Sequence, residues 1–179
     1  MELETERLLI REFKPSDHDS IHEYAGNPEV LKYMPFEPNT PEQSKGFLEQ
    51  AMSKQYNENR TDFELAIVLK KENKLIGGCR INKETNIQAH IGYMINQEYW
   101  GFGYATEVAK ALVAYGFSEL DVHRVYATCV PDNVASLRVL EKAGLVLEGR
   151  LRESMMSQGR YFDAFLYGIL QHEWKPINP

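Results

Sequence analysis

Apolar residues recur along the chain with two periods, and the periods divide it into elements. Alternation of period two marks strands. Residues 7–13 read as the first strand, and Pro15-Ser16-Asp17 stops it. Strands are also predicted over Phe63–Leu69, Leu75–Ile81 and Asn86–Ile95, with Lys70–Lys74 as a polar hairpin turn. The third of these puts Ala89, Ile91, Tyr93 and Ile95 on one face and His90, Gly92 and Met94 on the other. Helical spacing appears four times. Asp17 is placed to cap a helix running toward Gly26, with Ile21 and Tyr24 facing inward. Asn27-Pro28 closes that helix, because the residue before proline avoids helical dihedrals. Thr40-Pro41-Glu42-Gln43 is an N-cap with proline at the first helical position, and Phe47, Leu48 and Met52 form the stripe behind it. Ala105, Val108, Ala109, Leu112 and Gly116 mark a third helix, and residues 133–143 a fourth, ended by Gly144. Arg124–Val130 is a buried strand between the last two helices. Leu145–Leu147 and Tyr161–Leu170 complete the sheet.

The order is a strand, two helices, a three-strand meander, then strands alternating with helices. That predicts an α/β fold, with a mixed, mostly antiparallel central sheet and helices on both faces. No repeat, low-complexity run or linker interrupts it. A length of 179 residues with 43% hydrophobic positions suits a single domain over residues 1–179.

Charge narrows the partners. With 20 basic and 26 acidic residues the formal net charge is −6. This argues against nucleic-acid binding by bulk charge. Residues 1–6 are acidic and lack an apolar signal region, and no apolar stretch approaches the roughly 20 residues of a membrane span. A cytoplasmic protein without a membrane partner is the expectation. Cys79 and Cys129 each sit in an apolar run without a partner at metal-ligand spacing, so both read as buried thiols. His18, His22, His90, His123 and His172 show no clustered ligand pattern, and no metal is expected.

The segment Trp100-Gly101-Phe102-Gly103-Tyr104-Ala105 joins a strand to a helix. Two glycines flanking one residue there let backbone N–H groups approach an anion from a helix N-terminus. A turn that merely starts the helix has the same spacing. The segment is neither a P-loop, which needs Gly-Lys-Ser/Thr, nor a dinucleotide fingerprint, which needs a third glycine.

Several blocks together carry a resemblance. Ile91-Gly92-Tyr93 followed by residues 99–107 resembles the acetyl-CoA motif of the GNAT superfamily, Arg/Gln-x-x-Gly-x-Gly/Ala. Gly103 and Ala105 fill its last two fixed positions, and Trp100 stands at the Arg/Gln position. Residues 133–144 resemble the Asn-x-x-Ser…Glu-Lys-x-Gly-Phe run of that family, with Leu145 in place of Phe. Glu4-Thr5-Glu6-Arg7-Leu8, Gly159-Arg160-Tyr161-Phe162-Asp163 through Tyr167, and Glu173-Trp174 agree as well. The resemblance covers nearly the whole chain in order. It is nearest the branch of ribosomal-protein alanine and serine N-acetyltransferases.

That resemblance implies an acetyl-CoA-dependent N-acetyltransferase with a GNAT fold, in which acetyl-CoA is attacked directly by an amine. It implies that strand 91–95 splays from strand 125–130. Free backbone groups of Met94, Ile95 and Asn96 would then pair with the pantetheine arm. Gly101 and the N–H groups of Phe102, Gly103, Tyr104, Ala105 and Thr106 would hold the pyrophosphate. A backbone N–H near Ile95 would stabilise the thioester oxyanion. Asn133 reads as a helix N-cap that also contacts pantetheine, and Ser136 as a hydroxyl that helps protonate the leaving thiolate. His90 stands where many relatives carry a glutamate base, and its near-neutral pKa suits the role. It also reads as a solvated strand histidine. Met155 occupies a further position where the branch can carry glutamate, with Glu153 displaced by one strand alternation. Glu107, in a first helical turn, reads as favouring the helix dipole or pairing with Lys110. The loop Tyr33-Met34-Pro35-Phe36 would border the acceptor cleft. A protein N-terminus is the favoured acceptor, with a small amine or aminoglycoside behind it. An acyl-CoA sensor or partner module with little turnover, or another nucleotide binder, are the competing classes. Dimerisation is common among relatives, so a second copy of the chain is a candidate partner.

Overall fold

The computed structural model describes residues 1–157 and 159–175. Residues 158 and 176–179, which belong to the single domain expected from the sequence, lie outside the described residues. Eight strands form one sheet in the order β1-β2-β3-β4-β5-β6-β8-β7. They are β1 (Glu2–Glu4), β2 (Leu8–Glu12), β3 (Asp62–Leu69), β4 (Lys74–Lys83), β5 (Gln88–Ile95), β6 (Arg124–Cys129), β7 (Val146–Ser157) and β8 (Arg160–Leu170). The helices are α1 (His18–Ala25), α2 (Pro28–Leu31), α3 (Pro41–Lys54), α4 (Tyr104–Ser118) and α5 (Val134–Lys142). Neighbouring strands run antiparallel except β5 and β6, which run parallel.

The sheet buries both faces, as the mixed α/β pattern predicts. On one face Ile10, Ile67, Ile81 and Ile91 pack with Val108 and Leu112 of α4 and Leu140 of α5. On the other, Phe13, Ala66, Val68 and Leu75 pack with Ile21 and Tyr24 of α1 and Leu48 of α3. Tyr93 falls on the α4 side and Met94 on the α1 side, so the alternation read from β5 holds. No described helix is long and apolar enough to cross a membrane.

Local chemistry explains most boundaries and corrects a few. Thr40 and Gln43 form a reciprocal capping box at the start of α3. Asp17 does not cap α1. A short 3-10 turn over Pro15–Asp17 precedes that helix. The Asp17 carboxylate is instead held by Arg11 at 2.7 and 2.9 Å and by the Lys14 N–H at 2.8 Å. Asn27 ends α1 but also accepts from the Glu29 N–H and so starts α2. Strand β7 runs far past Leu147, to Ser157. Its pairing with β8 slips between Leu151 and Met155, and most of its side chains are exposed. No regular alternation therefore marks it in the sequence.

The feature that shapes the site is an interruption of the sheet. Strands β5 and β6 pair only at Gln88↔Arg124, Ala89↔Val125 and His90↔Tyr126. Beyond that point β5 stays with β4 as far as Gly77↔Ile95. Strand β6 stays with β8 as far as Cys129↔Phe165. The two strands thus separate into a wedge. Strand β4 lies so close to β5 here that a Cβ on Gly77 would sit 2.2 Å from the Met94 carbonyl oxygen. Only glycine permits that approach.

Candidate active site

The wedge exposes backbone groups in a fixed phase. The Asn96 N–H donates to the Ile76 carbonyl at 2.8 Å. Antiparallel pairing alternates, so Gly92, Met94 and Asn96 turn their backbone groups toward β4, while Ile91, Tyr93 and Ile95 turn theirs toward the wedge. The Ile87 carbonyl, in the same phase, accepts from the Arg124 N–H at 2.9 Å just before the strands part. This corrects the expectation for Met94 and Asn96, whose backbone groups face β4. Tyr93 and Ile95 are the residues whose N–H groups open into the wedge. The Ile95 carbonyl is already taken by the Trp100 indole N–H at 2.8 Å. Trp100 thus has a structural task at the position where the GNAT motif carries Arg or Gln. Backbone groups left without a strand partner call for a ligand.

At the open end of the wedge, Gly101 and Gly103 adopt φ of 83° and 84°. Gly103 is the left-handed N-cap of α4. Among the described residues, no backbone acceptor meets the N–H groups of Gly101, Phe102 or Gly103. Those of Tyr104, Ala105 and Thr106 belong to the first helical turn, which lacks intrahelical acceptors. Six consecutive amides at the positive end of a 15-residue helix make a cradle whose donors suit an anion.

The cradle is pinned from the other end of the chain. The Arg7 guanidinium donates to the Phe102 carbonyl at 2.9 Å and to the Glu107 carboxylate at 2.7 Å. It also lies over the Tyr104 ring at 4.6 Å. Glu107 accepts further from the Arg7 N–H at 2.9 Å and the Thr5 hydroxyl at 2.6 Å. Burial acts to raise the Glu107 carboxyl, but the bonds from Thr5 and Arg7 outweigh it and hold the group below its ordinary value. Glu107 therefore serves Arg7 and Thr5 rather than Lys110. Arg7→Ala is expected to raise the KM for acetyl-CoA about tenfold, the worth of one charge-assisted hydrogen bond. Its kcat should change little, and initial-rate kinetics at saturating acceptor check both. A fall in kcat at unchanged KM would show that the pin acts elsewhere.

Three side chains meet on the α4 side of the wedge. Asn133 caps α5, its side chain accepting from the Ser136 N–H at 3.2 Å. That cap presents the Ser136 hydroxyl to Tyr93, 2.9 Å from the phenol oxygen. The Tyr93 hydroxyl also reaches the Ser136 carbonyl at 3.3 Å. Burial holds the Tyr93 phenol well above its ordinary pKa, so it stays protonated. Burial also raises the Cys129 thiol, eased by a contact with Ser136, which leaves Cys129 a poor nucleophile. In the sequence Tyr93 stood on a strand face and in the Ile91-Gly92-Tyr93 block, with no role of its own. Its partner is 43 residues away, and no local signal announces the pair.

His90 is not part of this cluster. It occupies the last paired position before the wedge and lies on the opposite sheet face. Tyr93 is three residues further along β5, about 10 Å at strand rise. The imidazole is half-buried against the Tyr126 ring, centroids 5.0 Å apart. Burial lowers its pKa, with Glu84 acting in the opposite sense. A Cβ on neighbouring Gly92 would meet nothing within 4 Å, so open space lies beside His90. Met155 lines the cavity described next, while Glu153 sits in the β7 irregularity at φ 49° with its N–H bound to Asp163.

Beyond the C-terminal end of β6 lies a cavity of about 470 Å3. The loop from Lys32 to Pro38 forms one wall, the β7–β8 hairpin the other, and Val130 and Asp132 the floor beside Asn133. The Ser157 hydroxyl ties hairpin to loop through the Met34 carbonyl at 3.4 Å. The loop containing Tyr33, Met34, Pro35 and Phe36 thus borders a cleft.

Comparison with known proteins points the same way. Residues 7–146 match the family described as the acetyltransferase (GNAT) domain. YnaD of Bacillus subtilis, described as an uncharacterised N-acetyltransferase, is 36% identical over 97% of this chain and 99% of its own length. The crystal structure of a GNAT-family acetyltransferase from Bacillus anthracis superposes with a TM-score of 0.86 at 34% identity, covering 96% of this chain and 99% of that one. The ribosomal-protein-S5-alanine acetyltransferase of Vibrio fischeri superposes with a TM-score of 0.82 at 27% identity, covering 98% and 100%.

Proposed function

The chain belongs to the GNAT family of acetyl-CoA-dependent N-acetyltransferases, and from that premise we propose that it acetylates a primary amine, a protein or peptide N-terminus foremost, by direct attack on acetyl-CoA. The observation that carries the reading is the wedge between β5 and β6, with a row of free amides at its mouth and a hydroxyl pair inside it. Acetyl-CoA supplies an activated acetyl group. Its diphosphate fits the amides of residues 101–106, and its pantetheine arm fits the wedge-facing groups of Tyr93 and Ile95 and the region of Asn133. The Ile95 N–H stabilises negative charge on the thioester oxygen. A C–N bond forms to the amine as the C–S bond breaks, and Ser136, held by Tyr93, supplies a proton to the departing sulfur. The similarity to a ribosomal-protein-S5-alanine acetyltransferase supports a protein acceptor.

An ammonium must lose a proton before it attacks. His90 takes it through water in this scheme, given its distance from Tyr93. Because burial lowers its pKa, the neutral imidazole persists below the ordinary value of about 6.5. Activity that depends on this base is lost as pH falls through the depressed value, so the acid limb of kcat/KM should lie below that of a free histidine. The limb should vanish in His90→Gln. A limb that survives the substitution unchanged would remove His90 from the mechanism.

The direct test of the whole reading is release of free thiol from acetyl-CoA with N-terminal peptides, polyamines and aminoglycosides. Turnover with one class names the acceptor class. Tight binding of acetyl-CoA with no turnover on any of them would favour a sensor, and no binding at all would end the reading.

A further inference from the structure

We propose that the cavity beside Asn133 selects an amine with a single positive charge and a bulky apolar or aromatic group next to the amino carbon. This rests on the acetyl-transfer reading and adds to it the kind of acceptor. The cavity's place decides its role: Val130 and Asp132 form part of its lining, and the next residues in the chain lead directly to Asn133 and Ser136. Asp132 stands four residues before Ser136, so an amine seated beside Asp132 is proposed to reach toward the hydroxyl pair.

The lining is aromatic and thioether-rich. Tyr33 and Phe36 come from the loop, Phe162 from the hairpin, and Met34 and Met155 add two flexible thioethers. Phe36 and Phe162 remain 47% and 38% exposed, so their rings offer apolar surface that the chain itself leaves uncovered. A methyl group such as an alanine side chain would cover little of it. A phenyl or isobutyl group would cover far more.

The charges argue against a polycation. Lys32 and Arg160 line the cavity on the basic side, Glu37 and Asp132 on the acidic side. The four cancel, and among the described residues none of them forms a salt bridge. A polyamine with three ammonium groups would meet two resident cations and only two carboxylates. The ring most suited to holding a substrate cation is also engaged, because the Lys32 ammonium lies 5.4 Å from the Tyr33 centroid. One ammonium beside Asp132, followed by an apolar group against Phe162 and Phe36, leaves a single excess positive charge in the cavity, where a triply charged polyamine leaves three.

The test compares peptides that differ only in their first residue (Phe, Leu, Ala or Ser), the matching free amino-acid amides, and spermidine. Thiol release gives kcat/KM for each. The Phe and Leu acceptors should exceed Ala and Ser by about tenfold or more, the discrimination that a few buried methylenes provide. Spermidine should be poorest. Phe162→Ala should shrink the Phe-over-Ala preference severalfold while acetyl-CoA affinity, read by calorimetry, is unchanged. Peptides outrunning amides, or the reverse, tells whether the source is a chain terminus or a small molecule, and either order supports the pocket. Ala, Ser or spermidine turning over as well as Phe would overturn the pocket assignment while leaving acetyl transfer standing. No thiol release with any acceptor would overturn both.

Discussion

Ser136→Ala is expected to lower kcat by about 10²- to 10³-fold, within the range that positioned proton donors contribute, and to leave the affinity for acetyl-CoA nearly unchanged. The expectation follows from where the hydroxyl sits. Asn133 fixes the first turn of α5 through the Ser136 N–H, which sets the serine beside Tyr93. The Tyr93 phenol then holds it from the other side at 2.9 Å. When Tyr93 donates to the serine oxygen, the serine proton is free to point at a departing sulfur. Tyr93→Phe should therefore cost less, about tenfold, because the serine remains but loses its orientation. In the Ser136→Ala background the same change should cost almost nothing, since residues acting as one unit are not additive. A leaving-group series separates this from mere loosening of the fold. Acetyl thioesters of more acidic thiols need less protonation, so the deficit of Ser136→Ala should shrink as the thiol pKa falls. A deficit of constant size across the series would assign Ser136 to packing or binding instead.

What could be read from the sequence, and what could not, divides by range. Helices with their signals in neighbouring residues were legible: the Thr40–Gln43 capping box, the Gly144 stop at φ 94°, the apolar stripe of α4. The alternation in β5 gave the correct faces. It could not give the phase of the backbone, because that depends on which neighbour takes the first hydrogen bond. Asn96 bonding to Ile76 settles the phase and removes Met94 and Asn96 from the wedge-facing set. Arg7 and Glu107 show the same limit. Each looked local, one in a strand and one in a first helical turn, yet they bond across 100 residues. Strand β7 escaped for another reason. Its residues 146–157 are mostly exposed, and its irregularity opposite Asp163 breaks the alternation that marks a strand. The cavity drew its walls from the loop after α2, the end of β6 and that same hairpin. Only the loop could be proposed from sequence, and only through resemblance.

Gly103→Val should weaken acetyl-CoA binding by about 100-fold or more, and the structure says why the effect should appear in affinity as well as in folding. Gly103 holds φ at 84°, where an ordinary L-residue costs about 1–2 kcal/mol. That part is intrinsic to the chain. At roughly 2–4 °C per kcal/mol for a domain of this size, it predicts a modest fall in Tm. Sterically the free protein can take a side chain: the nearest atom to an added Cβ is the Arg7 guanidinium at 3.6 Å, an ordinary contact. Nothing therefore forces the loop to collapse. The larger cost is expected on the open side, where the proposed diphosphate would approach the amides of residues 101–106. An isopropyl group there keeps phosphate oxygens away from several amides at once, and each charge-assisted bond lost is worth about 1.5–3 kcal/mol. Calorimetric titration with acetyl-CoA, alongside a thermal melt without it, separates the two costs. A large loss of affinity with a small loss of Tm places the diphosphate on this loop. A lowered Tm with unchanged affinity would mean that the two glycines only shape the entrance to α4, and the diphosphate would have to be sought elsewhere along the wedge.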